Sequence, residues 1–255
     1  MKTNPLLAAL LCVAAAAPAA AQGSAAAPAP LRLEVGAPEV DGRMYPPHRA
    51  RNRVYPPNAT TPVNTWTNEL TLVDSAGVPV MRWVTLGTQA NGNTWELYQT
   101  YNARTLAPMT YSYRNSAGFE KFFGVHGTQV RGHTRMPNDS VAQPFDWTLP
   151  RLGFMANASD LVPPAVGMRA GAVMSLPVWS ADSTAPVQHY FRVLDQRTVS
   201  VEGEDVLAWP IEERVEETDE LKATWYMVDR SPYMVLAEIP TPNGLVRITG
   251  VALDE

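Results

Sequence analysis

The chain has 255 residues, a formal net charge of −5 and a single cysteine, Cys12. A mildly acidic protein does not offer the basic face that binds nucleic acid, so we expect no nucleic-acid partner. Because Cys12 lies in an apolar N-terminal run, the rest of the chain has no disulfides and no thiolate metal ligands, and an ordinary hydrophobic core must stabilise it.

The first 21 residues have the composition of a secretory signal peptide. Lys2 supplies the positive start, an apolar run follows from Leu6 to Ala17, and small residues precede Ala21. The run is shorter than the ~20 residues that a membrane-spanning helix needs. We therefore expect cleavage near Ala21 and a periplasmic or secreted protein, and the sequence leaves open whether the segment is retained as an anchor.

Residues 22–64 are predicted to form a linker and then an extended, Pro-rich arm. The phrase "RMYPP" returns ten residues later as "RVYPP", and paired prolines favour extended backbone. We predict that residues 38–64 lack regular helix and leave the body of the domain. Either the arm grips a partner, since Tyr and Arg are favoured interface anchors, or it folds back on its own sheet as a strap. The residues predicted to contact a partner are Arg43, Tyr45, Arg53 and Tyr55.

Residues 65–255 are predicted to form a single, mainly β domain. Apolar and polar residues alternate in stretches such as "NTWELYQTY" and "VQHYFRV", which indicates strands with one buried face. Turn signals separate them, among them Asn91-Gly92 and Pro242-Asn243-Gly244. The pattern predicts an antiparallel meander that forms a curved sheet or a half-open β-barrel.

One stretch interrupts the alternation. Between Gln143 and Gly171 the apolar residues follow no fixed period. This pattern predicts short helical turns and loops, a crossover that covers one mouth or face of the curved sheet.

Five side chains, four in the alternating segments and one in the stretch that interrupts them, are candidates for an apolar binding pocket. Aromatic residues of this size at period two also fill cores, and a histidine on an apolar face can be a core residue with one hydrogen-bond partner. Both interpretations stay open for these residues, which are Trp95, Trp147, His189, Trp209 and Trp225.

The sequence indicates no catalytic site, no metal site and no cofactor. It has no nucleophile elbow, no Gly-rich phosphate loop and no closely spaced histidine ligands. Asp146, between Phe145 and Trp147, is the one acid singled out. It either caps the turn that follows or acts in a carboxylate-based hydrolase.

Several phrases resemble a family of Gram-negative periplasmic β proteins known only as a domain of unknown function. They include "PFDWTLPRLGF", "AVGMRAGAVMSLPVW" and "ATWYMVDRSPYMVLAEIPTPNGLVRI", and the similarity begins near Asn93. More distantly the chain is similar to carriers of outer-membrane lipoproteins, whose half-open barrel shelters acyl chains. The matching positions are turn and core residues, so the resemblance implies a fold more than a function.

We therefore expect a non-enzymatic exported protein that binds an apolar small molecule, lipid or acyl chain in a curved sheet. Two alternatives stay open. One is an accessory or structural subunit that docks on the periplasmic face of an envelope membrane protein complex through the Pro-rich arm. The other is the carboxylate-based hydrolase.

Overall fold

The computed structural model describes residues 29–253, so the predicted signal peptide lies outside the described part of the chain. No helix within these residues has the length and apolar character needed to cross a bilayer. Two 3₁₀ turns, Gly42–Met44 and Ser159–Leu161, and one short helix, α1 Val162–Val166, accompany the strands. The strands are β1 Leu31–Arg32, β2 His48–Tyr55, β3 Asn64–Ser75, β4 Val78–Gln89, β5 Thr94–Asn102, β6 Pro108–Asn115, β7 Glu120–His126, β8 Gln129–Arg135, β9 Gln143–Thr148, β10 Phe154–Met155, β11 Val173–Trp179, β12 Val187–Val193, β13 Arg197–Val201, β14 Glu204–Val215, β15 Leu221–Met227, β16 Met234–Thr241 and β17 Gly244–Ala252.

The strands form one 17-stranded sheet. Strands β2 to β9 are neighbours in chain order, β10 to β17 largely so, and the antiparallel pairing of β17 with β2 joins the two runs. Among the described strands, the parallel pairings are those of β1 with β11 and of β10 with β11. The predicted mainly β class and antiparallel meander are confirmed.

The sheet curls so that strands near its two ends face each other. Strands β7 and β11 each lie third from opposite ends of the sheet, yet the rings of Phe123 and Trp179 are 5.5 Å apart. Lys121 Nζ on β7 donates to the carbonyl of Ala181 and to the carboxylate of Asp182, both at 2.7 Å. Backbone pairing joins the described strands into a sheet, and side-chain contacts bridge its two ends, so the sheet forms a half-open barrel.

The prediction that residues 38–64 leave the domain as an extended arm is wrong. Strand β2 lies in the middle of the sheet, where it pairs with β17 on one side and β3 on the other. Residues before it are also integrated, since Leu33 and Val40 are buried in the core and Gly42–Met44 form a 3₁₀ turn. The folded unit therefore begins well before residue 65.

The composition of β2 explains the error. Its outward positions are Arg49, Arg51 and Arg53, and its inward positions include Ala50 and Asn52, so apolar alternation is absent although the period of two is present. The proline pairs lie just outside the strand, where a missing N–H does not interrupt the ladder.

The predicted crossover is partly confirmed. Residues 143–148 form the edge strand β9 instead of a loop. The segment that follows, residues 149–172, contains the second 3₁₀ turn and α1, and its apolar residues Leu161 and Val162 are buried in the main core. This stretch, called here the crossover segment, covers the inner face of the sheet as predicted.

Candidate ligand-binding cavity

A cavity of about 190 Å³ lies between the crossover segment and the inner face of the sheet. Four of the seven tryptophans of the chain line it: Trp66, Trp83, Trp95 and Trp225. They come from β3, β4, β5 and β15. The curled sheet thus concentrates aromatic surface at one interior position.

The position of Trp95 depends on a glycine on the neighbouring strand. Gly87 on β4 is the register partner of Trp95, and a Cβ at residue 87 would lie 2.0 Å from the indole ring. The missing side chain lets the ring lie across β4. There its centroid is 6.0 Å from that of Trp66, and its Nε1 donates to Asn64 Oδ1 at 3.3 Å.

A band of polar side chains crosses the inner face of β2 to β5 beside the tryptophans. Thr85 Oγ1 donates to Asn68 Oδ1 at 2.8 Å. Asn52 is 2% exposed and its amide nitrogen has no hydrogen-bond partner within residues 29–253, while Gln99, which is 1% exposed, hydrogen-bonds to Tyr101. A buried donor without a partner is destabilising by roughly 1–3 kcal/mol. The amide of Asn52 is therefore suited to an acceptor oxygen of a guest molecule or of water.

Asp160 is the acidic residue of the cavity lining, and the second 3₁₀ turn presents it. Burial raises the pKa of Asp160 to about 7, and the charge of Glu213 adds to the rise, although two backbone N–H groups oppose it. The turn is held from both sides. Tyr45 donates its hydroxyl to the carbonyl of Leu161 at 2.5 Å, and Ser159 Oγ donates to the carbonyl of Ala156 at 3.1 Å.

A smaller chamber of about 40 Å³ adjoins the cavity on the other side of Asp160. His48 and Asn52 line it together with the carboxyl group. Burial lowers the pKa of His48, and a hydrogen bond to the carbonyl of Pro46 partly opposes this shift. A space of this size is large enough for one water molecule.

A buried carboxylate fixes the wall formed by Trp225. Glu213 is 6% exposed, and one of its oxygens lies 2.6 Å from His189 Nδ1. The other oxygen accepts a hydrogen bond from Trp225 Nε1 at 2.8 Å. The three residues sit on β12, β14 and β15, which are neighbouring strands. Both oxygens of Glu213 are thereby engaged within the protein.

The five residues predicted to bind a ligand are separated by the fold. Trp95 and Trp225 line the cavity, and His189 lies outside the lining, against Glu213, whose other oxygen holds Trp225. Trp147 stacks on Phe145 at 4.2 Å on the edge strand β9, and Trp209 packs against the core. The structure thus brings together two of the predicted tryptophans and supports one of them with the predicted histidine.

The four residues predicted to grip a partner are also separated. Tyr45 is fully buried, so the prediction that it contacts a partner is wrong: its hydroxyl holds the crossover segment. Arg43 pairs with Asp41 at 2.6 Å. Arg53 pairs with Glu202 at 2.6 Å on the outer face, and Tyr55 is half-buried at the end of β2.

The acid singled out from the sequence lies far from the cavity lining. Asp146 projects from the outer face of β9 and pairs with Arg131 at 2.8 Å, with its side chain 52% exposed. It therefore lies in a strand and does not cap a turn. No group of three or more His, Cys, Asp or Glu residues within the described chain is arranged to hold a metal ion.

Sequence reasoning missed Asp160, Gln99 and two of the four tryptophans. Trp66 and Trp83 are each followed two residues later by a polar lining residue, Asn68 and Thr85. Residues two apart in a strand share a face, so the sequence pattern does place these pairs side by side. Asp160 has no comparable signal, because the groups around it come from distant strands.

Comparisons with known proteins identify no relative by sequence. No protein-family model matches the chain, and no curated protein matches it. A crystal structure of a β-barrel-like protein of domain of unknown function DUF1849 from Brucella abortus is similar to it. The TM-score is 0.46 at 10% sequence identity, and the match covers 82% of this chain and 98% of that chain.

Proposed function

We propose that the protein is a non-enzymatic exported binding protein that holds a small amphipathic ligand in the tryptophan-lined cavity. The observation that supports this most is the meeting of four indoles with the polar side chains of Asn68, Thr85 and Asp160 around one space. Apolar walls with a few placed polar groups are the usual composition of a ligand site. The indoles would supply affinity and the polar groups would supply orientation.

The size of the cavity limits the ligand. A cavity of about 150 Å³ accepts benzene, so 190 Å³ accommodates a group only somewhat larger. A long acyl chain would have to leave the interior past Ala156 and Asn157, which are exposed and line the cavity. This favours a small molecule, or one end of a larger one, over a fully enclosed acyl chain.

Export is the second part of the proposal. It is supported by the composition of the first 21 residues. The periplasm or the extracellular space is therefore the proposed location.

The hydrolase alternative now depends on Asp160 and Glu213 rather than on Asp146. Two carboxyl groups with different environments can divide the roles of acid and base. However, both oxygens of Glu213 are hydrogen-bonded and the residue is 6% exposed. A group held this way has no free oxygen to offer a substrate, so the pair fits binding better than hydrolysis.

The alternative of a subunit docked on an envelope complex loses its main support. The arm on which it depended is strand β2, and Tyr45 is inside the protein. The exposed residues of the doubled phrase, Arg43 and Met44 among them, lie ahead of β2, whereas Arg53 and Tyr55 at the end of the strand are half-buried.

Ligand retention tests the proposal. Protein purified gently from its own cells should melt at a higher temperature than the same protein after unfolding and refolding, because a bound ligand stabilises the folded state. A small-molecule extract of the native protein should restore the higher melting temperature. Equal melting temperatures, with no effect of the extract, would contradict the proposal.

Two matched variants test whether the ligand that raises the melting temperature binds in the cavity. Leu97→Trp adds bulk to the cavity wall and should abolish the response to the extract. Leu207→Trp makes the same change at a side chain that is 57% exposed and should leave the response intact.

A further inference from the structure

The tryptophan-lined cavity contains a carboxyl group without a protein cation beside it. Asp160 is the ionisable member of the lining, and none of the lining residues in the described chain is a lysine or arginine. Two backbone N–H groups are the partners of this carboxyl group, and a desolvated carboxylate without a cation beside it is unfavourable. A cationic guest is one way to supply the missing charge.

The other groups that face Asp160 do not provide this charge. Tyr45 and Tyr101 are fully buried phenols whose pKa values burial raises well above the usual range, and Asp160 raises them further. Glu213 is a second acid, and His189 lies against it. The pKa of His48, in the small chamber, is lowered by burial.

The walls of the cavity are also suited to a cation. Tryptophan is the aromatic side chain that attracts cations most strongly through its ring face, and each such contact contributes roughly 0.5–2 kcal/mol. Trp66, Trp83, Trp95 and Trp225 surround the same space as Asp160. Several indoles with one carboxylate form the kind of cage that binds substituted ammonium groups.

Gln99 places no second requirement on the guest, since its side chain, 1% exposed, hydrogen-bonds to Tyr101. The requirement that the cavity places on a guest is therefore the positive charge.

We propose that the ligand is a small organic cation, with its ammonium group against Asp160 and the indoles. This inference rests on the proposed binding function and specifies its ligand. It also predicts that binding releases a proton. When the organic cation binds beside the protonated carboxyl group of Asp160, the carboxyl group loses its proton to the solvent and the cation takes its place.

Calorimetric titration with two probes of the same shape tests the inference. Choline is a hydroxylated quaternary ammonium ion, and 3,3-dimethylbutan-1-ol is its neutral isostere. Choline should bind at least about tenfold more tightly, which corresponds to ~1.4 kcal/mol. Its affinity should increase from pH 6 to pH 8, and at pH 6 the measured heat should depend on the buffer, which shows proton release.

Asp160→Asn should remove both the preference for choline and the buffer dependence. Asp146→Asn, a change at an exposed acid on the outer face of β9, should leave both as in the wild type. If Asp160→Asn retains the preference, another group recognises the charge and the inference fails.

The remaining outcomes separate this inference from the function on which it rests. Equal affinity for choline and the alcohol would overturn the cation and leave the binding function standing. Failure of both probes to bind, while the native extract still raises the melting temperature, would also overturn it and leave the binding function. If the extract has no effect either, both proposals fail.

Discussion

Replacing Asp160 by asparagine should stabilise the folded protein more at alkaline than at acid pH. Burial, reinforced by Glu213, raises the pKa of Asp160 from 3.8 to about 7. Between these values the folded chain keeps a proton that the unfolded chain has released. The free energy of unfolding therefore falls as the pH rises through this window.

The size of the effect follows from the change in pKa. Each unit corresponds to about 1.36 kcal/mol, so a rise from 3.8 to about 7 amounts to an order of 4 kcal/mol at alkaline pH. At pH 5 the folded protein has lost only the first part of this free energy of unfolding. The stability gained by Asp160→Asn should thus be about 2–3 kcal/mol greater at pH 8 than at pH 5.

Urea unfolding followed by tryptophan fluorescence at the two pH values measures this difference. Asp146→Asn is the control, because an exposed ion pair contributes at most about 1 kcal/mol. If Asp160→Asn changes the stability equally at pH 5 and pH 8, the carboxyl group is not desolvated in the way described and the reasoning is refuted.

Three further changes test how the interior is held together. Tyr45→Phe should lower the free energy of unfolding by about 1 kcal/mol, since it removes the buried hydrogen bond from the hydroxyl to the carbonyl of Leu161, and Tyr55→Phe, at a half-buried residue, should have little effect; equal urea midpoints would contradict this. Lys121→Met should cost ~1–3 kcal/mol and speed hydrogen exchange after β11, whereas Lys222→Met, in an exposed pair, should cost less than about 1 kcal/mol. Gly87→Ala should destabilise by about 1–3 kcal/mol through overpacking and change the tryptophan emission; an unchanged spectrum and stability would refute the close contact.

The parts of the fold predictable from sequence are those with local signals. The turns at Asn91-Gly92 and Pro242-Asn243-Gly244 lie between β4 and β5 and between β16 and β17, and Gly92 and Gly244 have φ of +85° and +118°. Period-two alternation of apolar residues found the strands with an apolar inner face. Both signals are contained within about ten residues of chain.

Strand β2 has no such signal. Its inner face includes Ala50 and Asn52, so hydrophobic alternation is missing, and its neighbour β17 lies at the other end of the chain. Burial of Tyr45 likewise depends on Leu161, which is 116 residues away. The doubled Arg-x-Tyr-Pro-Pro phrase therefore lies at the two ends of one internal strand. The paired prolines favour extended backbone in a strand as well as in a free arm, so they do not distinguish the two.

The candidate site was only partly predictable for the same reason. Alternation placed Trp95 and Trp225 on inner faces, but core packing and cavity lining produce the same pattern in sequence. Asp160 acquires its properties from Glu213 and from strands far away in the chain. Its surroundings exist only in the folded chain, where the crossover segment meets the sheet.

Native mass spectrometry of protein purified gently from its own cells tests the central claim most directly. The account predicts a mass above that of the chain alone, an adduct that unfolding releases and that Leu97→Trp prevents while Leu207→Trp does not. A mass equal to the bare chain, or an adduct that Leu97→Trp retains, would contradict the claim that the tryptophan-lined cavity holds a ligand.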